Sequence, residues 1–395
     1  MTSRILIRSG VTLALLGALA CGDAATEEEE NNGGANNGPA NNGAGADLTV
    51  GNPMATVMVS GSLTMDVPEG ATSVIVMVEG GGGALILASK ITSPAGEVVY
   101  DFENFVETNR TDAADAPYLF MLPSNPAVQL VAGQWEVEFF TDAGAPFEAS
   151  VTAIYNTDGL GTTLDLNLFF VGLDGLDATT APEHQGFQQI LTNVEAIYTA
   201  AGIRFGAKNY IDVTGDDADK FAVIDSIDGA GSELRQLFAL SGGHPEGALN
   251  FFFVRDIGGG DAGFQLLGLA GGVPGPPGVN GTNRSGVAVN MVDFGSADAT
   301  VEIIMAHESG HYLGLYHTTE RNGAGLDGNG ILGQDPIGDT ANCPDGADAN
   351  GDKVLSAAEC ADHDGRNLMF WSPANDSRAL SGGQGEIMQR NPTTK

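Results

Sequence analysis

Positive charge is scarce in this sequence: 16 Lys and Arg stand against 51 Asp and Glu, a formal charge of −35 over 395 residues. Phosphate backbones and anionic membrane surfaces repel such a surface, which argues against nucleic acid as a partner. Long apolar runs are absent as well. The stretch Val11 to Leu19 is too short to cross a bilayer as a permanent helix. Helical periodicity of useful length is missing from about residue 47 to 155, so that segment is not a helical bundle. Cysteine and histidine are sparse, with three and six in the chain, so any cluster of either carries weight.

At 395 residues the chain exceeds one typical domain of ~100–200 residues, so two folded units behind a leader are expected. Residues 1–20 have the order of an export signal: Arg4 and Arg8, a short apolar stretch, then Ala18-Leu19-Ala20. Cys21 follows at once, and LLGALAC resembles a bacterial lipoprotein signal, with Ala18 departing from its usual Leu. The resemblance implies lipidation of Cys21 and an exported chain held in the cell envelope; the alternative is a soluble, extracellular product. Residues 21–46, rich in Glu, Asn and Gly, offer nothing to a core and form a flexible tether. With Cys21 taken by lipid, Cys343 and Cys360 remain as a pair, expected as one disulfide, with two free thiols as the alternative.

Residues 47–157 break into short apolar or alternating runs between Gly, Pro and Asp turns: TVMVSGSLTMDV, SVIVMVEG, ALILASKITSP, GEVVYDF, APYLFML and GQWEVEFF. An antiparallel β-sandwich is expected, with Trp135 and Phe139 facing its core. The run VPEGATSVIVMV resembles accessory sandwich domains found beside secreted proteases.

Residues 158–395 alternate elements instead. LDLNLFFVG, IRFGAKNYIDV and ALNFFFVRDI are strands, FQLLGLAGG and SGVAVNM two shorter ones, and ELRQLFALS a helix. FQQILTNVEAIYTAAG is a helix with Phe187, Ile190, Leu191, Val194, Ile197 and Tyr198 on one stripe, ended at Gly202. A mixed sheet backed by helices follows, an α/β (α+β) unit.

The chemistry concentrates in VEIIMAHESGHYLGLYH, residues 301–317. On a helix His307 and His311 lie four apart on one face, so two imidazoles converge on one ion. Glu308 sits beside that face, placed to act as general base on a water held by the metal. Gly314 ends the helix and lets the chain bring back His317 as a third ligand. Three nitrogens leave a fourth position open, the coordination of a catalytic rather than a structural Zn2+. The alternative is an amphipathic helix with surface histidines.

HESGHYLGLYH resembles the metzincin clan of zinc endopeptidases at His307, Glu308, His311, Gly314 and His317. The resemblance implies a metzincin-like fold with an active-site helix, and a methionine in a tight turn beneath the metal. Met369 in RNLMFW is assigned to it, with Met388 as competitor. LGLYHTT, DPIGDT, the cysteine pair and NLMFW are similar to pappalysin-like enzymes, although Phe370 and Trp371 stand where some metzincins have a tyrosine. The resemblance also implies that a peptide lies antiparallel along FQLLGLAGG; the alternative is that this Gly-rich stretch is a loop. All three cysteines having other roles, no propeptide thiol is left to block the zinc.

In residues 348–359, Asp348, Asn350, Asp352, Ser356 and Glu359 take positions 1, 3, 5, 9 and 12 of a Ca2+ loop, with the Val354 carbonyl at 7. Lys353 replaces the expected glycine, and an acidic loop held by the disulfide is the alternative. His184, His244 and His363 are isolated. The expected function is zinc-dependent hydrolysis of internal peptide bonds in proteins by a monomer that meets membranes only through its lipid. A calcium-dependent surface-binding lipoprotein with a vestigial metal site is the competing expectation.

Overall fold

The structure, a computed structural model, describes residues 55–59, 61–143, 147–258, 265–296, 300–321 and 334–395. The signal, Cys21 and the tether lie outside the described residues. Among the described residues, nine strands make up the first half: β1 (Ala55–Val59), β2 (Ser62–Val67), β3 (Ser73–Glu79), β4 (Ile86–Thr92), β5 (Val98–Asp101), β6 (Val106–Glu107), β7 (Tyr118–Leu122), β8 (Gly133–Thr141) and β9 (Phe147–Asn156). They form two antiparallel sheets, ordered β1-β9-β3-β7 and β2-β8-β4-β5-β6. The sheets share one core in which Val74, Val76 and Phe120 meet Met65, Trp135 and Val137. Trp135 and Phe139 point inward as expected, with Glu136 and Glu138 exposed between them.

Strand β9 lies between β1 and β3, yet its small and polar residues, FEASVTAIYN, hide it from an apolar-alternation search. The unbroken runs in β3 and β7 have the opposite meaning: both faces of these strands are buried. Tyr118, Phe120 and Leu122 enter the sandwich core, while Ile75, Met77, Leu119 and Met121 enter the core of the second half. Burying four such side chains contributes about 6–12 kcal/mol as an upper estimate. Leu48–Lys395 thus forms one compact unit.

The second half runs β10 (Thr163–Val171), α1 (Gln185–Ala200), β11 (Arg204–Val213), α2 (Asp216–Phe221), β12 (Val223–Ile224), α3 (Glu233–Ala239), β13 (Leu249–Val254), β14 (Asp256–Ile257), β15 (Gly268–Ala270), β16 (Val287–Asn290), α4 (Val301–Tyr312) and α5 (Gly382–Arg390). Its sheet, ordered β11-β10-β13-β16-β15, is parallel except for β15, which runs antiparallel to β16 at the edge. An asparagine ladder crosses β11, β10 and β13 and fixes their register: Asn209 donates to Asn167 at 2.9 Å, and Asn167 to Asn250 at 2.8 Å. Helix α1 buries the six residues of the expected stripe and is followed by Gly202 at φ 77°.

Helix α5 carries three glycines, which propensity argues against. A capping box between Ser381 and Gln384 starts it. Close packing explains its composition, because a Cβ at Gly383 would stand 2.5 Å from Ile337 and one at Gly385 3.1 Å from Ala201. No helix among the described residues is long and apolar enough to cross a membrane.

Candidate metal centre

Helix α4 is buried nearly all round, between α1 on one side and the β15–β16 edge on the other. The Tyr198 hydroxyl of α1 donates to the Ala306 carbonyl at 2.8 Å and pairs with the Ser309 hydroxyl. This fixes the helix that carries His307, Glu308 and His311. After Tyr312 the chain reverses: Leu315 N–H returns to the Gly310 carbonyl at 3.0 Å, and Gly314 takes φ 104°. That conformation favours glycine, and a Cβ there would also stand 3.0 Å from the Met121 sulfur.

The reversal brings His317 to the helix. His311 Nε2 lies 3.1 Å from His307 Nε2 and 3.1 Å from His317 Nε2. Each ring is backed at Nδ1: His307 by the Leu368 carbonyl at 2.7 Å, His311 by the Leu315 carbonyl at 2.7 Å, and His317 by the Glu320 carboxylate at 3.0 Å. A carbonyl only accepts, so the first two rings carry their proton on Nδ1, and the carboxylate selects the same tautomer for the third. Three bare Nε2 lone pairs therefore face one another, an arrangement that repels unless a cation stands between them. Nitrogens ~2.0–2.1 Å from one tetrahedral ion lie about 3.3 Å apart, close to the separations found here. The residues fit a three-histidine zinc site, backed by acceptors of the kind that orient ligating imidazoles.

Electrostatics keep His307 and His311 neutral. Burial, reinforced by the neighbouring His317 ring, lowers the His307 pKa to about 3. Burial and the two other rings hold His311 well below the usual imidazole value. For Glu320, burial works against ionisation, but the His317 ring outweighs it with help from Arg110, and the carboxyl lies below its ordinary value.

Met369 lies against the helix at Gly310. It is fully buried, and its sulfur would stand 2.7 Å from a Cβ at Gly310. Its segment is tied to the site at both ends, through the Leu368 carbonyl on His307 and through Thr318 N–H donating to the Met369 carbonyl at 2.9 Å. Met388, the competitor, lies in α5 in the same core.

Glu308 is only partly buried by area, yet protein surrounds its carboxyl closely enough for burial to push the pKa up to about 7. The carboxylate accepts a hydrogen bond from the Ala270 backbone. Ala270 belongs to β15, so FQLLGLAGG does supply an edge strand, over Gly268–Ala270. The Leu267 carbonyl accepts from Asn290 N–H of β16, and Gly271 N–H donates to the carbonyl of Gly286 just before it, at 2.9 Å each, so by alternation the N–H and C=O groups of Gly268 and Ala270 turn away from the sheet. Only glycine fits at 268, where a Cβ would stand 2.6 Å from Ile304 and 2.7 Å from the Glu308 side chain.

The sequence matches no family model and no curated protein. Among solved structures the chain is similar to metalloproteinase-II from Bacteroides fragilis, at 13% identity and a TM-score of 0.25, over 48% of its own length. It spans 59% of that chain. So weak a likeness has no bearing on function.

The remaining expected residues lie apart from the histidines. Cys343 and Cys360 form a disulfide in a small core with Leu355 and Phe370. In the loop they enclose, Asp348 accepts from the Gly351 and Lys353 amides at 2.8 and 3.0 Å, Asn350 from Asp352 at 2.8 Å and Asp352 from Val354 at 2.8 Å. Glu359 accepts from the Ser356 amide and hydroxyl at 3.0 and 2.7 Å. Among the described residues, metal-capable groups gather only at the three histidines and at the bridged Cys343 and Cys360 with Asp364. The carboxylates of Asp348, Asp352 and Glu359 do not form such a group.

His184 caps α1, its Nδ1 accepting from Phe187 N–H at 3.2 Å, and His244 packs edge-on against Phe169. Residues unread in the sequence include Glu320, whose signal is a carboxylate three positions after the third histidine. Gly310, inside the motif, and Gly268 were also unread.

Proposed function

We propose that this chain is a zinc-dependent endopeptidase that cleaves internal peptide bonds of proteins, exported and anchored through a lipid on Cys21. The supporting observation is the set of three Nε2 atoms facing one another, two of the separations 3.1 Å, with every Nδ1 occupied by an acceptor and Glu308 beside them. His307, His311 and His317 hold the ion. Zinc bound there supplies Lewis acidity, polarising a carbonyl and making water a nucleophile near neutral pH.

The protein's own groups do the rest. Glu308 takes a proton from the attacking water and passes it to the departing amine, a relay open to a carboxylate beside the three rings. The outward N–H and C=O groups of Gly268 and Ala270 pair with an extended peptide, aligning it without demanding particular side chains. A peptide seated there competes with Glu308 for the Ala270 amide and frees the carboxylate as substrate arrives. The partners are protein or peptide substrates of a monomer, and the acidic surface repels nucleic acid.

A calcium-dependent binding protein with a decayed site gains less support, because such a protein has no physical need for Glu308 or for acceptors behind all three rings. Metal analysis of the purified chain, with hydrolysis of a denatured protein measured before and after chelation, tests the proposal. About one zinc per chain and loss of cleavage on chelation are expected. A chain without transition metal, or cleavage indifferent to chelators, sinks it.

A further inference from the structure

We infer that the β-sandwich is a working part of the metal centre, with Arg110 as a positioning residue for His317; this rests on the three histidines being metal ligands. His307 and His311 stand on a helix, but His317 lies on a loop outside regular structure. Backbone hydrogen bonds hold that loop: beside the ligand, Thr318 N–H to the Met369 carbonyl at 2.9 Å and Asp335 N–H to the His317 carbonyl at 2.8 Å; further on, Trp371 N–H to the Thr319 carbonyl at 3.3 Å and Leu355 N–H to the Arg321 carbonyl at 2.8 Å. Asp335 depends in turn on the sandwich. On one side of it Arg110 Nη1 donates to the Gln334 carbonyl at 2.7 Å, and on the other Asn125 Nδ2 donates to the Pro336 carbonyl at 2.7 Å.

Arg110 is rigid enough for this task. Asp112 grips its Nε and Nη2 at 3.0 Å each, a bidentate pair that fixes the guanidinium plane. The same guanidinium lies 4.3 Å over the ring of Tyr316, the residue before the ligand, and the Tyr316 hydroxyl donates back to the Arg110 carbonyl at 3.3 Å. Met121 of β7 packs on Gly314, at the turn that begins the loop. The third ligand is thus held in part through contacts that a separated second half would lack, so the sandwich is not a segment to be discarded on maturation.

The test uses the whole chain: zinc affinity by competition with a chromophoric chelator, beside the melting temperature of the metal-free protein. Arg110→Met is expected to weaken zinc binding about 10–100-fold, the usual effect of removing support behind a ligand. Arg110→Lys, which keeps a cation and one donor, recovers part of that loss, and Asn125→Ala shows a smaller loss of its own. Ser73→Ala is the control, because Ser73 joins the sandwich to the Arg390 carbonyl, away from the His317 loop. It should lower the melting temperature and leave zinc affinity alone.

Unchanged zinc affinity in both Arg110→Met and Asn125→Ala overturns the inference, as does an equal loss in Ser73→Ala. Should Arg110→Met not fold, Asn125→Ala decides. A wild-type chain that holds no zinc would instead overturn the histidine assignment, and this inference with it.

Discussion

The sulfur of Met369 rests against the backbone of Gly310, close enough that a Cβ at position 310 would stand 2.7 Å from it. Gly310 lies between Glu308 and His311 on α4, so the missing side chain lets the methionine reach the underside of the histidine-bearing turn. Gly310→Ala gains up to about 1 kcal/mol of helix propensity. Overpacking a filled core costs about 1–3 kcal/mol. Net destabilisation of about 1–2 kcal/mol is therefore expected in denaturant unfolding. Met369→Ala in the same chain should relieve part of it, so the two substitutions will not add.

Glu308 touches the site through its carboxylate and holds no ring in place. Glu308→Gln should retain zinc by metal analysis while kcat/KM for a peptide falls about 10²–10⁴-fold. Full activity in that variant would remove the base assignment.

What could be read in advance depended on how far the determining contacts lie along the chain. The grouping of the histidines was legible because His307 and His311 share a helix face and Gly314 turns the chain back toward His317, although the contacts that hold His317 lie far along the chain. The buried stripe of α1 was legible because one face alone is covered. Strand β9 was not, since Ala, Ser and Thr fit beneath close neighbours without an apolar signal. Nor was α5, whose glycines answer to Ile337 and Ala201 rather than to helix propensity. The tie between Tyr316 and Arg110 spans 206 residues and leaves no local mark.

Gly268 separates substrate alignment from metal binding. A Cβ at this position would stand 2.7 Å from the Glu308 side chain and 3.2 Å from the Ala288 carbonyl of the neighbouring strand. With Ile304 at 2.6 Å as well, Gly268→Ala must either displace Ile304 together with the base or move the edge strand, while the three rings keep their acceptors on other segments. Zinc affinity should stay within about 3-fold of wild type, because support behind the ligands is untouched. Peptide turnover should fall about 10-fold or more, since misplacing reacting groups by an ångström costs ~10²-fold. A parallel loss of zinc would show that β15 supports the ligands as well.

Protonation of the metal-free protein gives a test with opposing signs. Burial lowers the His307 pKa from 6.5 to about 3 and drives His311 well below 6.5, so these rings destabilise the fold as pH falls below 6.5. Burial raises Glu308 from 4.5 and Asp335 from 3.8 to about 7, so these carboxyls destabilise the fold as pH rises toward 7. Each group contributes about 1.4 kcal/mol per pH unit within its own window. Between pH 4.5 and 6.5 two imidazoles and two carboxyls oppose one another, and stability should be nearly flat. Below about pH 3.8 both carboxyls are protonated in both states, and the imidazoles act with less opposition until His307 itself protonates near 3. Unfolding free energy should then fall by up to about 2.7 kcal/mol per unit. Glu308→Gln removes one opposing group, so its stability should rise with pH across the flat window by about 1.4 kcal/mol per unit. Denaturant titrations of the apo wild type and variant at several pH values measure this. A variant as flat as the wild type would mean that Glu308 titrates near its ordinary value in the folded chain.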